Sequence, residues 1–184
     1  MTLAARIAQA AAELTAAAAG TDPAELAALV ETLATARRIA TFGCGREGLM
    51  MRALTMRLYH LGLDIHVVGD MSCPPLGPGD LLLVCSGPGR LSTVAALIGQ
   101  ARAAGAGTAC ITAQAAAPDP TACDLKLTIP AQTMANDQSG AALLPMGSVF
   151  EGALFLIGEL VVLSLRDRLQ ETAASMRARH TNLE

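Results

Sequence analysis

The chain has 184 residues, a formal net charge of −3 and only 2% aromatic residues. It has no basic block and no aromatic stacking platform, which disfavours nucleic-acid binding. Its 52% hydrophobic and 16% charged residues exclude a disordered chain. This length predicts one domain with a core of Ala, Leu, Val, Ile and Met, and we expect self-association to cover the remaining apolar helix surface.

The cysteines and the apolar segments favour a cytoplasmic protein. None of the five cysteines forms a C-x-x-C pair or has a histidine beside it at ligand spacing, so we interpret them as small buried side chains in a reducing compartment and predict no metal site. The first 19 residues include Arg6 and Glu13 and predict a helix instead of an export signal. The longest apolar stretch, 152–165, is interrupted by Glu159 and predicts a buried helix, not a membrane span.

Helical and strand patterns alternate along most of the chain. Two helices come first, over 3–18 and from about Pro23 to Ala36, where the cap-like Asp22 precedes a proline. The later predicted helices cover residues 50–61, 91–104 and 148–169. The predicted strands cover residues 38–42, 64–68, 80–85, 107–112 and 125–129.

This alternation predicts an α/β fold with a mostly parallel sheet between two helical layers, a three-layer αβα sandwich. The single domain divides into a helical arm (1–36), an α/β core (37–147) and a long C-terminal helix with a tail (148–184). Ligands of such sheets bind beyond the carboxyl ends of the strands.

A first glycine-rich loop follows the first predicted strand. The segment GCGREG, residues 43–48, matches G-x-G-x-x-G between a strand and a helix, and Asp70 follows Gly48 by 22 residues. This spacing is close to a dinucleotide-binding fingerprint. Glu47 argues against that reading, because it places a carboxylate near the pyrophosphate unless it points away.

A second loop, SGPGRLST at residues 86–93, joins the central strand to the next helix. The amides of a helix N-terminus suit a phosphate, Ser86, Ser92 and Thr93 offer hydroxyl donors, and Arg90 adds charge. The alternative is an ordinary strand–helix turn. The only lysine, Lys126, is not in a G-K-[ST] context, which excludes a Walker A loop.

Several motifs together resemble one family. They are GCGREG, MRLYHLG (56–62), VVGD (67–70), PGDLLLVCSGPG (78–89), IPA (129–131), PMGSVFE (145–151) and the terminal MRARHTNLE (176–184). In this order they resemble the 6-phospho-3-hexuloisomerases of the sugar isomerase (SIS) domain superfamily. The resemblance implies a five-stranded parallel sheet of flavodoxin-like, doubly wound type. It also implies a homotetramer with active sites shared between subunits.

The family interconverts D-arabino-3-hexulose 6-phosphate and D-fructose 6-phosphate, in the ribulose monophosphate pathway, without a metal or nucleotide cofactor. Moving a carbonyl between adjacent carbons through an enediol requires a base and a second proton carrier. Glu151, near the start of the long helix, is the candidate base. The resemblance makes His180 the proton shuttle, or an aid to ring opening, reaching a neighbouring subunit's site. His60 is interpreted as structural.

Arg46 and Arg57 are candidates to pair with phosphate or with Glu47. The predicted substrate- and phosphate-binding residues are Gly43, Gly45, Arg46, Glu47, Arg57, Ser86, Gly87, Gly89, Ser92 and Thr93.

Three positions depart from the family pattern. Glu47 and Pro88 stand where serine is common, and Leu91 where threonine is common. These changes remove hydroxyls, Glu47 adds negative charge, and Pro88 deletes a backbone N–H. Each lost hydrogen bond to a charged group costs about 1.5–3 kcal/mol, and Ser92 and Thr93 offer hydroxyls nearby.

The departures leave three hypotheses open. The first is an active hexulose phosphate isomerase with a rewired phosphate grip. The second is a SIS-domain isomerase or binding protein for another carbohydrate derivative. The third is a dinucleotide-binding module that uses residues 43–48 and Asp70.

Overall fold

The structure is a computed structural model, which describes residues 1–114, 123–137, 140 and 142–183. The strands are β1 (Ile39–Gly43), β2 (Ile65–Val67), β3 (Leu81–Cys85), β4 (Gly107–Thr112) and β5 (Leu125–Thr128). The helices are α1 (Leu3–Ala19), α2 (Pro23–Thr35), α3 (Gly45–His60), α4 (Ser92–Ala103), α5 (Ser148–Arg168) and α6 (Ala173–Ala178).

The five strands form one parallel sheet in the order β2-β1-β3-β4-β5. This 2-1-3-4-5 order is that of flavodoxin-like doubly wound folds, so the predicted fold class is confirmed. Strand order reverses between β1 and β3, which pair over their full lengths from Ile39↔Leu81 to Gly43↔Cys85. The two strands end side by side, and the crevice beyond them is the expected ligand position in this fold.

Two apolar clusters cover the two faces of the sheet. On one face, side chains of α2, α3 and α5 form the larger core with alternate residues of the strands, and Phe150 is fully buried there. On the other face, α4 and the segment around Leu76 pack against Ala40, Leu82 and Val84. The continuous apolar run of β3 is buried at every position because helices cover both of its faces.

Helix α1 packs against α5 instead of extending away from the core. A Cβ at Gly152 would lie 2.6 Å from Leu14 Cδ2, so a larger residue there would require the Leu14 side chain to move. The Glu13 carboxylate accepts hydrogen bonds from the Leu143 and Leu144 amides, at 2.7 and 3.1 Å. The first helix thus fixes the backbone that leads into α5.

Helix α5 is longer than the apolar stretch seen in the sequence. Its 21 residues and a window hydropathy of 1.9 are enough, by length and composition only, to cross a membrane. Half of that window is buried inside the protein, where α5 contacts α1, α2 and α3. Core helices of soluble proteins share these features.

The element boundaries differ from prediction mainly at the first loop and the tail. Strand β1 continues to Gly43, and α3 already begins at Gly45, so most of the first glycine loop is helical. The tail contains a short helix that was not predicted, α6, which begins with a capping box between Thr172 and Ser175. Glu184, the end of the terminal motif, lies outside the described residues.

Candidate active site

The first glycine loop is a tight strand-to-helix junction. A Cβ at Gly43 would lie 2.9 Å from the Gly48 nitrogen, and a Cβ at Gly48 would lie 2.5 Å from the Gly43 oxygen. Gly45 has a φ of 55°, which favours glycine. Gly43 and Gly48 are therefore required by backbone packing alone, whatever ligand the loop holds.

Arg46, in the first turn of α3, joins this loop to α5. Its Nη1 donates to the Ser148 hydroxyl at 3.0 Å, and its Nη2 lies 3.0 Å from Glu151 Oε2. Ser148 and Glu151 occupy the first turn of α5, so the contacts bring the N-terminal ends of two helices together. The geometry places two of the predicted site residues, Arg46 and Glu151, in direct contact.

The Glu151 side chain is only 14% exposed. Burial raises the pKa of this carboxyl above its usual value, and the Arg46 guanidinium partly opposes the shift. The Arg46 contact is an ion pair without the alignment of a hydrogen bond, and Oε2 has no hydrogen-bond partner among the described residues. A carboxylate with a raised pKa and an unsatisfied oxygen suits a general base.

The second loop is closely packed beneath the crevice. Ser86 is buried and its hydroxyl donates to the Gly89 carbonyl, while the Gly89 amide donates to the Ser86 carbonyl at 3.1 Å. A Cβ at Gly87 would lie 2.7 Å from the Phe150 ring. The Ser86 hydroxyl is thus already engaged within the loop, and Gly87 is needed for its contact with α5.

Ser92 and Thr93 are exposed in the first turn of α4. Leu91 holds the N-cap position, and within the described chain no side-chain hydrogen bond caps this helix. A threonine there, as is common in the family, is a good N-cap residue and leucine is not. The first-turn amides and the hydroxyls of Ser92 and Thr93 are available donors for an anion.

Glu47 points into the second loop. Its Oε2 accepts a hydrogen bond from the Gly87 amide at 3.0 Å, and the Cys85 thiol is a second hydrogen-bond partner. Burial raises the pKa of the Glu47 carboxyl, and the nearby charge of Glu151 adds to this. Burial and Glu47 together raise the pKa of the Cys85 thiol well above its usual value, so the thiol stays protonated.

Arg57 and His180, two of the predicted site residues, lie at the opposite end of α3. Because an α-helix rises ~1.5 Å per residue, His60 is about 21 Å along the axis from Arg46. His60 is buried, and its ring lies 5.2 Å from that of His180, centroid to centroid. Arg57 is in the same last turn, with Nε 3.7 Å from Glu159 Oε1. Within one chain, Arg57 and His180 both lie away from the glycine loops. Arg57 pairs with Glu159 and not with Glu47, while its pairing with phosphate stays a prediction.

An ion pair holds the tail against this end of α3. Arg179 donates from Nη1 to the His60 carbonyl and to Glu171 Oε2, and from Nη2 to Glu171 Oε1, each at 2.9 Å. The guanidinium carbon would lie 3.0 Å from a Cβ at Gly62, whose φ is 85°. These contacts hold the Glu171 pKa at about 2. They position His180, the next residue in the chain.

The dinucleotide hypothesis gains no support from the site. Asp70 Oδ1 lies 3.4 Å from both Nη atoms of Arg52, so the acidic residue of the fingerprint is already paired. The Glu47 carboxylate binds the Gly87 amide of the second loop and does not occupy the amides of residues 43–48. Among the described residues, no group of three or more His, Cys, Asp or Glu side chains is arranged to hold a metal ion.

Sequence reasoning missed three participants. Ser148 stands in the PMGSVFE motif and Arg179 in the terminal motif, so each lay inside a recognised segment without an assigned role. Cys85 was interpreted as a buried small side chain, which it is, but its partner Glu47 is on a different element. No local pattern reveals such contacts, because the partners are far apart in sequence.

Comparison with known proteins agrees with this geometry. Residues 32–156 match the SIS domain family model. This chain therefore belongs to the SIS domain family, a class of α/β proteins.

Curated relatives narrow the family further. The chain is 38% identical to a 3-hexulose-6-phosphate isomerase of Mycobacterium gastri over 167 residues, covering 91% of this chain and 84% of the relative. It is 32% identical to a protein of the same name from Bacillus subtilis (strain 168) over 159 residues, covering 85% of each. Within the SIS family it thus groups with the 3-hexulose-6-phosphate isomerases, as its motifs predicted.

A solved structure matches over almost the full length. A protein from Methanococcus jannaschii, for which the crystal structure infers a function of 3-hexulose-6-phosphate isomerase, superposes with a TM-score of 0.83 at 26% identity. The match covers 97% of this chain and 98% of that chain. The predicted family and the predicted fold are both confirmed.

Proposed function

We propose that this protein is an isomerase that interconverts D-arabino-3-hexulose 6-phosphate and D-fructose 6-phosphate. The observation that carries the proposal is the placement of Glu151. It lies at the crevice beyond β1 and β3, with a largely buried carboxylate and one oxygen without a hydrogen bond among the described residues. The names of the curated relatives support the substrate class.

The reaction moves one carbonyl to the neighbouring carbon. Glu151 removes the proton from C2 of the 3-ketose, which forms an enediol, and returns a proton to C3. A second group moves the hydroxyl proton between the two oxygens. The raised pKa of Glu151 brings its basicity closer to that of the carbon acid than an ordinary carboxylate. In this proposal Arg46, whose guanidinium pairs with Glu151 without substrate, pairs with the negative charge of the bound substrate instead.

The second proton carrier in this proposal is His180 of a neighbouring copy. Within one chain His180 packs against His60, which is about 21 Å along α3 from Arg46. A site that uses both Glu151 and His180 therefore needs two chains. The apolar side chains of Phe155, Leu156, Leu160 and Leu163 remain substantially exposed on α5. They favour a homo-oligomer, which we propose to be a tetramer in the cytoplasm.

The first experiment assays the purified protein with 3-hexulose 6-phosphate and couples fructose 6-phosphate formation to NADP reduction. The native protein should turn over, and Glu151→Gln should lose about 10²–10⁴-fold in kcat, the usual contribution of a general base. Glu31→Gln is the matched control, since Glu31 also pairs with an arginine, Arg168, at 3.0 Å but lies on α2.

The control should keep native activity, and both variants should keep the native oligomeric state. No turnover by a folded native oligomer would contradict the proposal. If both variants lose activity equally, Glu151 does not act as the base.

A second candidate is an isomerase or binding protein for another carbohydrate derivative. One observation favours it: Glu47 occupies a backbone donor of the second loop, and the position after Gly87 is a proline without an N–H. Tight binding of a sugar without phosphate, together with weak binding of fructose 6-phosphate, would favour this candidate over the first.

A further inference from the structure

The second glycine loop already contains an anion of the chain itself. Glu47 Oε2 accepts from the Gly87 amide at 3.0 Å, and Oε1 lies 2.7 Å from where a Cβ of Gly87 would stand. The Cys85 thiol hydrogen-bonds the same carboxyl. The carboxyl group therefore binds the loop as an external phosphate oxygen would, through a backbone amide and a neighbouring protic side chain.

The loop has few other donors to offer. Pro88 has no N–H, and the Ser86 hydroxyl donates to the Gly89 carbonyl. Leu91 contributes no hydroxyl at the N-cap of α4. Besides the exposed Arg90 side chain, a phosphate at this loop consequently depends on the Gly87 amide and on the first turn of α4. Glu47 already holds the Gly87 amide.

Two carboxylates and two cations lie at or beside the loop. Glu47 is flanked by Glu151 on α5. Arg46 already pairs with Glu151, and Arg90 of the loop itself is exposed. Cys85 of β3 stays protonated and adds no charge. Like charges a few ångströms apart repel strongly in a partly buried site, so a dianion and an ionised Glu47 are poorly compatible in this space.

We propose that Glu47 is a specificity-determining residue that competes with the ligand's phosphate for the Gly87 amide. Binding a phosphorylated sugar then requires the Glu47 carboxyl to leave the loop or to lose its charge. The substrate class that follows is a sugar held through its hydroxyls and Arg46, with the phosphate bound more weakly than by a loop that carries serine at position 47. This inference rests on the proposed function in taking a phosphosugar as the ligand.

The test measures binding, not turnover. Fructose 6-phosphate is titrated by calorimetry into the native protein, Glu47→Gln and Glu47→Ser, with inorganic phosphate as a second ligand. Glu47→Gln removes the charge and keeps the shape, whereas Glu47→Ser also empties the loop. Both variants should bind both ligands at least about tenfold more tightly, because the repulsion with the phosphate is gone. Glu31→Gln should bind like the native protein.

The outcomes separate failure of the Glu47 proposal from failure of the proposed isomerase activity. Unchanged or weaker binding of fructose 6-phosphate by both variants, at native thermal stability, would overturn the proposal. A gain for fructose 6-phosphate without a gain for inorganic phosphate would also overturn it, since the competition must act on the phosphate. If both ligands gain but neither the native protein nor either variant turns over 3-hexulose 6-phosphate, the role of Glu47 stands and the proposed isomerase activity fails.

Discussion

The two ends of α3 carry groups of opposite character. At the N-terminal end, Arg46 reaches Ser148 and Glu151 from a crevice between two strands, and Glu151 is a buried carboxylate with a raised pKa. At the C-terminal end, Arg179 and Glu171 form a well-aligned pair that lowers the Glu171 pKa to about 2.

The two glutamates differ in how fully their carboxylates are hydrogen-bonded, and the difference suits two different roles. A site for proton transfer needs a carboxylate whose pKa is raised by burial and whose oxygens are left partly unsatisfied, as those of Glu151 are. A structural clasp, here the Arg179–Glu171 pair, needs a carboxylate whose two oxygens are both hydrogen-bonded, as those of Glu171 are by Arg179 and Ser175. The same pair of residue types, glutamate and arginine, serves the first function at one end of the helix and the second at the other.

The largest effect is expected when Glu151 is removed from one chain and His180 from another. Glu151→Gln and His180→Gln should each be inactive alone, because each removes one proton carrier. Unfolding, mixing and refolding the two variants should restore about a quarter of native activity, the fraction of randomly assembled sites that receive Glu151 from one chain and His180 from another. Activity is followed by the coupled fructose 6-phosphate assay.

Refolding each variant alone provides the control for this experiment. Failure of the mixture to regain activity, while the native protein refolds to full activity, would mean that both groups act in one chain. Native activity of His180→Gln alone would mean that His180 is not used.

A smaller effect is expected at the N-terminal end when Arg46 is changed. Arg46 lowers the pKa of Glu151, so Arg46→Gln should raise it further. The base must be deprotonated to act, and the acidic limb of the kcat/KM profile should therefore move to higher pH. The phosphate of the substrate titrates near pH 6 in both proteins, so its contribution cancels in the comparison.

Arg6→Gln serves as the control for Arg46→Gln, because Arg6 is an exposed arginine on α1. An acidic limb that stays in place would show that Arg46 does not influence the base during turnover.

The smallest effect is expected at the clasp and concerns stability. The Glu171 pKa is depressed from 4.5 to about 2 in the folded protein. Its stabilising contribution is thus fully present above pH 4.5 and is lost as the pH falls towards 2. The native protein should have a higher Tm than Glu171→Gln at pH 7, with the gap closing on acidification.

Arg179→Gln breaks the same pair from the other side and should show the same closing gap. A gap that is constant from pH 7 to pH 2 would contradict an ionic role for the pair.

Much of the fold could be predicted because it depends on local patterns. The continuous apolar run 81–85 indicates a strand buried on both faces, and Gly62, with a φ of 85°, ends α3 where predicted. The start of α3 was predicted too late, since Gly45 and Gly48 are poor helix formers and their place in the helix comes from packing against Gly43. Helix α6 was missed because it is short and has no buried residue.

The sequence by itself determined the alternation of strands and helices, the two glycine loops and the motifs that contain Glu151 and His180. Only the tertiary structure decided what these residues touch. Arg46 and Ser148 are 102 residues apart, and Glu47 and Gly87 are 40 apart, so their contacts depend on how parallel strands align at one edge of the sheet. Hydrogen bonds and burial act over a few ångströms in space, and the separation of residues along the chain does not specify those distances.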